Sequence, residues 1–92
     1  MKITVVYTTQ VKAALGVPQE SIEVDAPCTV KQLVLQLAQR HGEPFRKLVL
    51  SEGDQLLPSI LLCVGDQQIS DGDAAELADG DAVTLLSAIS GG

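Results

Sequence analysis

The last residues, Leu85-Leu86-Ser87-Ala88-Ile89-Ser90-Gly91-Gly92, pass from an apolar segment into small residues and close on two glycines. A terminal carboxylate titrates at roughly 3.5, so Gly92 is expected to present a free anion at neutral pH, with no side chain to shield it. Glycine lacks a Cβ, so Gly91 and Gly92 can take backbone conformations closed to other residues and enter a narrow slot in a partner's active site. Such an end is either a reactive handle or an ordinary frayed terminus.

The remaining candidates for chemistry are few. Cys28 and Cys63 lie too far apart in sequence for a zinc pair, and His41 is the one histidine that could join them. Cys63 falls inside the apolar run Ile60-Leu61-Leu62-Cys63-Val64, where a buried and inert thiol is expected. His41 belongs to the last turn of a helix, where a partly protonated imidazole favours the negative end of the helix dipole. Asp71-Gly72-Asp73 and Asp79-Gly80-Asp81 read as turns, because the longer ligand frame of a calcium loop between two helices is missing. There is no phosphate-cradling glycine loop, no Ser/His/Asp set and no metal cluster, so no metal and no bound cofactor is expected.

Composition narrows the partners. The chain has 92 residues, enough for one core, and 46% of them are apolar, yet Tyr7 and Phe45 are the only aromatics. Stacking on bases or sugars is therefore poorly supported. The net charge is −6, and all six basic residues precede Leu48. From there to Gly92 the sequence holds acids and no base, which repels nucleic acid and anionic membrane and favours a basic protein surface. No apolar run reaches membrane-spanning length and the first residues lack a signal-peptide core, which points to a soluble cytoplasmic protein.

The elements that must position the tail follow from periodicity. Ile3, Val5 and Tyr7 alternate with polar neighbours as a strand, and Ser21 to Asp25 is a second, with Ile22 and Val24 inward. Between them, Thr9 to Pro18 reads as a loop with a short turn at Val11 to Leu15, because it contains Gly16 and Pro18. Thr29 followed by Gln32 is a capping-box signal, and Val30, Leu33, Val34, Leu37 and Ala38 then form one apolar stripe that ends at Gly42. Pro44 opens a short second helix with Phe45, Leu48 and Val49 on one face. Strands are expected at Ile60 to Val64, around Gln68 and Ile69, and at Val83 to Leu86. The result is an α+β domain over residues 1–86, a mixed sheet of about five strands packed on one main helix, with residues 87–92 as a flexible tail.

This order resembles the β-grasp, ubiquitin-like sulfur carriers, which include the small subunit of molybdopterin synthase and the thiamine-pathway carrier. The resemblance rests on Ile3-Thr4-Val5-Val6-Tyr7 leading into Val11-Lys12-Ala13-Ala14-Leu15-Gly16, then Thr29-Val30-Lys31-Gln32-Leu33, then Leu77-Ala78-Asp79-Gly80-Asp81-Ala82-Val83 and the closing Gly91-Gly92. It implies that the first and last strands are parallel neighbours at the sheet centre. It also implies that a separate ubiquitin-activating-like enzyme adenylates the Gly92 carboxylate with ATP and that sulfur then converts it to a thiocarboxylate. The chain would be a cosubstrate with no catalytic residues of its own. Its sulfur would pass to a molybdopterin synthase large subunit or to another acceptor, with Leu86, Ile89 and Ser90 meeting the partner and the acidic loops helping. A thiamine-type carrier and a ubiquitin-like modifier of lysines are the alternatives. The family's aromatic residue and prolines before the glycines are absent from Leu86-Ser87-Ala88-Ile89-Ser90.

Overall fold

The computed structural model describes residues 1–69 and 75–87. Five strands form one mixed sheet in the order β2-β1-β5-β3-β4, with β1 at Lys2–Tyr7, β2 at Gln19–Glu23, β3 at Ile60–Val64, β4 at Gln67–Ile69 and β5 at Ala82–Ser87. Strands β1 and β2 are an antiparallel hairpin, and β5 lies parallel to β1 with Tyr7 opposite Leu85. The other side of β5 pairs antiparallel with β3, which sets Leu61 opposite Leu86 and Ile60 opposite Ser87. The first and last strands thus occupy the middle of the sheet, as the resemblance implied.

One face of the sheet is covered by three helices. Helix α2, Val30–His41, buries Val30, Leu33, Val34, Leu37 and Ala38, the stripe expected from the 3.6-residue period. Its start has the reciprocal capping box: Thr29 Oγ1 accepts from the Gln32 N–H at 3.1 Å, and Gln32 Oε1 accepts from the Thr29 N–H at 2.8 Å. Gly42 ends it at φ +75°, and α3, Glu43–Val49, follows with Phe45 and Val49 buried. These side chains meet Ile3, Val5, Tyr7, Leu62, Val83 and Leu85 from the sheet in a single core.

Two expectations are corrected. Thr9–Leu15 is a helix, α1, rather than a loop, because Ala13 and Ala14 favour helix and Val11 and Leu15, one turn apart, face the protein. Gly16 at φ +77° is the left-handed cap that closes it, and its N–H reaches the Lys12 carbonyl at 2.9 Å. The glycine that suggested a loop is the helix's own stop signal. The second correction concerns the thiols. Ile60 and Leu62 are the buried positions of β3, so the period of two turns Cys63 toward the opposite face, where it is only partly covered. Cys28 is the buried one, 2% exposed, and burial pushes its thiol pKa up. Both cysteines are free.

Strand β5 runs through Ser87, one residue beyond the expected boundary at Leu86. The tail expected from there on lies outside the described residues past Ser87, as does the Asp71-Gly72-Asp73 turn.

Candidate functional site: the end of the last strand

Among the expected site residues, the structure places Leu86; Ile89, Ser90, Gly91 and Gly92 lie outside the described residues. Leu85 is fully buried against the helices, so its neighbour Leu86 points to the open face of the sheet and is half-buried there. Directly across the ladder on that face is Leu61, 37% exposed, one of two large apolar side chains exposed to that degree among the described residues. Beyond them a cleft of about 290 Å³ is lined by Leu56, Leu57, Ile60, Leu61 and Ile69. Leu86 therefore pairs with an exposed leucine, beside a cleft of mixed polar and apolar lining, one residue before β5 ends. Leu61 was not singled out from the sequence, because its place opposite Leu86 depends on the register of two strands more than twenty residues apart.

The same end of the sheet is held by a polar cluster. The Tyr7 hydroxyl donates to Glu20 Oε2 at 2.5 Å, His41 Nε2 lies 2.5 Å from the same oxygen, and Arg40 Nε lies 3.0 Å from Glu20 Oε1. The His41 ring stands edge-on to Tyr7 and tilted over Phe45, each at 6.1 Å between ring centres. His41 is the last residue of α2, as expected, but its side chain reaches across to β2. For Glu20, burial alone would raise the pKa; the hydrogen bonds from Tyr7 and His41 and the charges of His41 and Arg40 outweigh it, and the carboxyl is held below its usual range. Burial and the adjacent Glu20 push the Tyr7 phenol far up, so it stays a donor at every ordinary pH. Next to it, Thr8 Oγ1 donates to the Leu85 carbonyl at 2.9 Å.

The acidic loops are elsewhere. Asp79 Oδ1 accepts from the Lys2 N–H at 2.7 Å, the Asp81 carbonyl accepts from the Thr4 N–H at 3.0 Å, and Gly65, beside Asp66, donates to the Ala82 carbonyl at 2.9 Å. All three acids therefore lie where β5 begins, about 17 Å of strand from where it ends. They lie apart from Leu86 on the described surface, and Asp71 and Asp73 of the other expected acidic loop lie outside the described residues. No group of histidine, cysteine and carboxylate side chains among the described residues could hold a metal ion, and no helix among them is long and apolar enough to cross a membrane.

Comparison with known proteins agrees with this geometry. The model of the ThiS family matches residues 5–92. No curated protein sequence matches. Among solved structures, SAMP1 from Haloferax volcanii superposes with a TM-score of 0.89 at 20% identity, covering 100% of both chains, which speaks for the fold. A Pyrococcus furiosus protein assigned as molybdopterin converting factor subunit 1 is 27% identical with a TM-score of 0.78, covering 97% of this chain and 99% of that one. A chain of the BexX/CysO complex from Amycolatopsis orientalis is 32% identical with a TM-score of 0.71, covering 98% and 99%.

Proposed function

Because the chain belongs to the ThiS family, we propose that it is a sulfur carrier that serves as the small subunit of a molybdopterin synthase. The carrying observation is topological. Strand β5, paired on its two sides with β1 and β3, ends at Ser87 beside Leu61 and Leu86, and the sequence then continues to Gly91-Gly92. The domain supplies a docking face and a fixed point of departure; the tail supplies a carboxylate.

In this reading the Gly92 carboxylate attacks the α-phosphorus of ATP in the active site of a separate adenylating enzyme, releasing pyrophosphate. A sulfide nucleophile from a donor then displaces AMP and leaves the thiocarboxylate. The carrier contributes no acid, base or metal to either step. Its task is to present the reacting group in a defined place, which is where proximity has its value. The 27% identity to the Pyrococcus furiosus protein supports the molybdopterin assignment. The higher identity to the chain solved with BexX, together with a tail free of prolines, keeps a carrier for a different sulfur acceptor as the second reading.

Calorimetric titration of the thiocarboxylated chain into a molybdopterin synthase large subunit from the same genome separates the two. Binding supports the first reading. Its absence, with thiocarboxylate formed normally, moves the assignment to another acceptor. If the apolar surface anchors the complex, Leu86→Ala and Leu61→Ala each weaken it by about tenfold, equivalent to about 1.4 kcal/mol, whereas unchanged affinity for both would remove the docking role.

A further inference from the structure

We propose that Glu20 is a positioning residue, whose carboxylate gathers Tyr7, Arg40 and His41 into a latch that holds the tail-bearing end of the sheet in register. Tyr7 is the last residue of β1 and stands opposite Leu85. Its N–H is bound by the Pro18 carbonyl at 2.9 Å, and the following Thr8 hydroxyl holds the Leu85 carbonyl. The end of β1 thus walls one side of β5 two residues before that strand ends. Glu20 fixes that wall from the neighbouring strand through the Tyr7 hydroxyl, and ties it to the end of α2 through His41 and Arg40.

An ordinary surface ion pair would not do this. The Arg40 side chain is 59% exposed, so its bridge is worth little by itself. The other contacts differ: Glu20 and His41 are only 15% and 19% exposed, and two donors converge on one carboxylate oxygen. Charge-assisted bonds in such a shielded place are shorter and stronger than neutral ones. The groups facing Glu20 are Tyr7 from β1 and Arg40 and His41 from α2, while α3 contributes the uncharged Phe45 behind the imidazole. The Tyr7 hydroxyl and the Arg40 guanidinium both donate to it, so the latch requires the carboxylate in its ionised form. Since the folded state lowers the Glu20 pKa, the latch is complete above the usual carboxylate range and is lost as pH falls through the folded value.

The consequence for tail presentation rests on the sulfur-carrier reading, but the latch is tested on the chain alone. The experiment is amide hydrogen exchange by NMR on the full chain and on Glu20→Gln, corrected for intrinsic rates. The Tyr7, Leu85 and Leu86 amides are compared with those of Leu33 and Leu37 in α2. The variant is expected to exchange about tenfold faster at the first group and within about twofold at the second, the pattern of local opening. Taking the parent from neutral pH down through the depressed Glu20 titration should bring its first group toward the variant's rates, and the variant should lack this step. Equal acceleration at both groups, none at the first, or parallel pH profiles would each overturn the latch. Should Glu20→Gln not fold, Tyr7→Phe carries the test: it removes one donor and keeps the ring, so it must still accelerate the Leu85 and Leu86 amides selectively, and failure to do so overturns the proposal. Thiocarboxylate formation, followed separately by mass, distinguishes the two claims. Local opening without thiocarboxylate leaves the latch standing and removes the carrier reading; thiocarboxylate without local opening does the reverse.

Discussion

At the scale of single residues, the thiols show how a strand's two faces decide a side chain's fate. Cys28 is enclosed by the core and its Sγ–H donates to the Thr29 carbonyl at 3.4 Å, whereas Cys63 faces outward between Gln68 and Thr84 on the neighbouring strands. Cys28→Ala should therefore lower stability by roughly 1 kcal/mol, from lost packing and the small void left behind, and Cys63→Ala by about 0.5 kcal/mol or less. Denaturant melts of the two variants check the order, and a larger loss for Cys63→Ala would contradict it. Neither change, nor Cys28→Ser, should reduce sulfur transfer, because the sulfur is proposed to ride on the Gly92 carbonyl. A persulfide trapped on either cysteine during turnover would overturn that. The sequence could not rank the thiols correctly, since an unbroken apolar run such as Ile60 to Val64 hides which alternate positions face inward. Glu20 was equally hidden: nothing local marks a glutamate whose partners are 13 and 21 residues away.

At the scale of elements, the features read in advance were those whose physics is local. The capping box of Thr29 and Gln32, the apolar stripe of α2 and the Gly42 stop all depend on residues within a turn or two, and the structure has each in place. Thr29→Ala removes the hydroxyl that accepts the Gln32 N–H and should cost about 1 kcal/mol, measured as a shift in denaturation midpoint with unchanged slope. No change would mean that the isolated bridge between Thr29 and Glu76 anchors the helix start without the cap. Helix α1 was missed because Gly16 and Pro18 are loop signals and helix stop signals alike, and a seven-residue helix is too short for periodicity to decide. The extent of β5 also bears on design. A proline that pre-orders an extended tail lowers the entropy cost of docking, but at Ser87 it would fall inside a central strand opposite Ile60, where a ring and a missing N–H disrupt pairing.

At the scale of the whole molecule, the parallel placement of β1 and β5 separates two properties that the sequence had run together. The acids that dominate the C-terminal half gather in part where β5 begins, with Asp66, Asp79 and Asp81, while the apolar surface of Leu61 and Leu86 lies where it ends. The central claim concerns the tail itself: Gly92 is the atom donor of the chemistry and is dispensable for the fold. The most direct test is the intact mass of the full chain after incubation with an adenylating enzyme and a sulfur donor from the same genome, with ATP, beside a variant lacking Gly92. The account predicts that the parent gains the mass difference between one sulfur and one oxygen, confined to the C-terminal fragment, and that the variant gains nothing while melting at the parent's temperature. An unchanged parent mass with an enzyme competent on its own carrier, a lysine adduct in place of the thiocarboxylate, or a destabilised variant would contradict it.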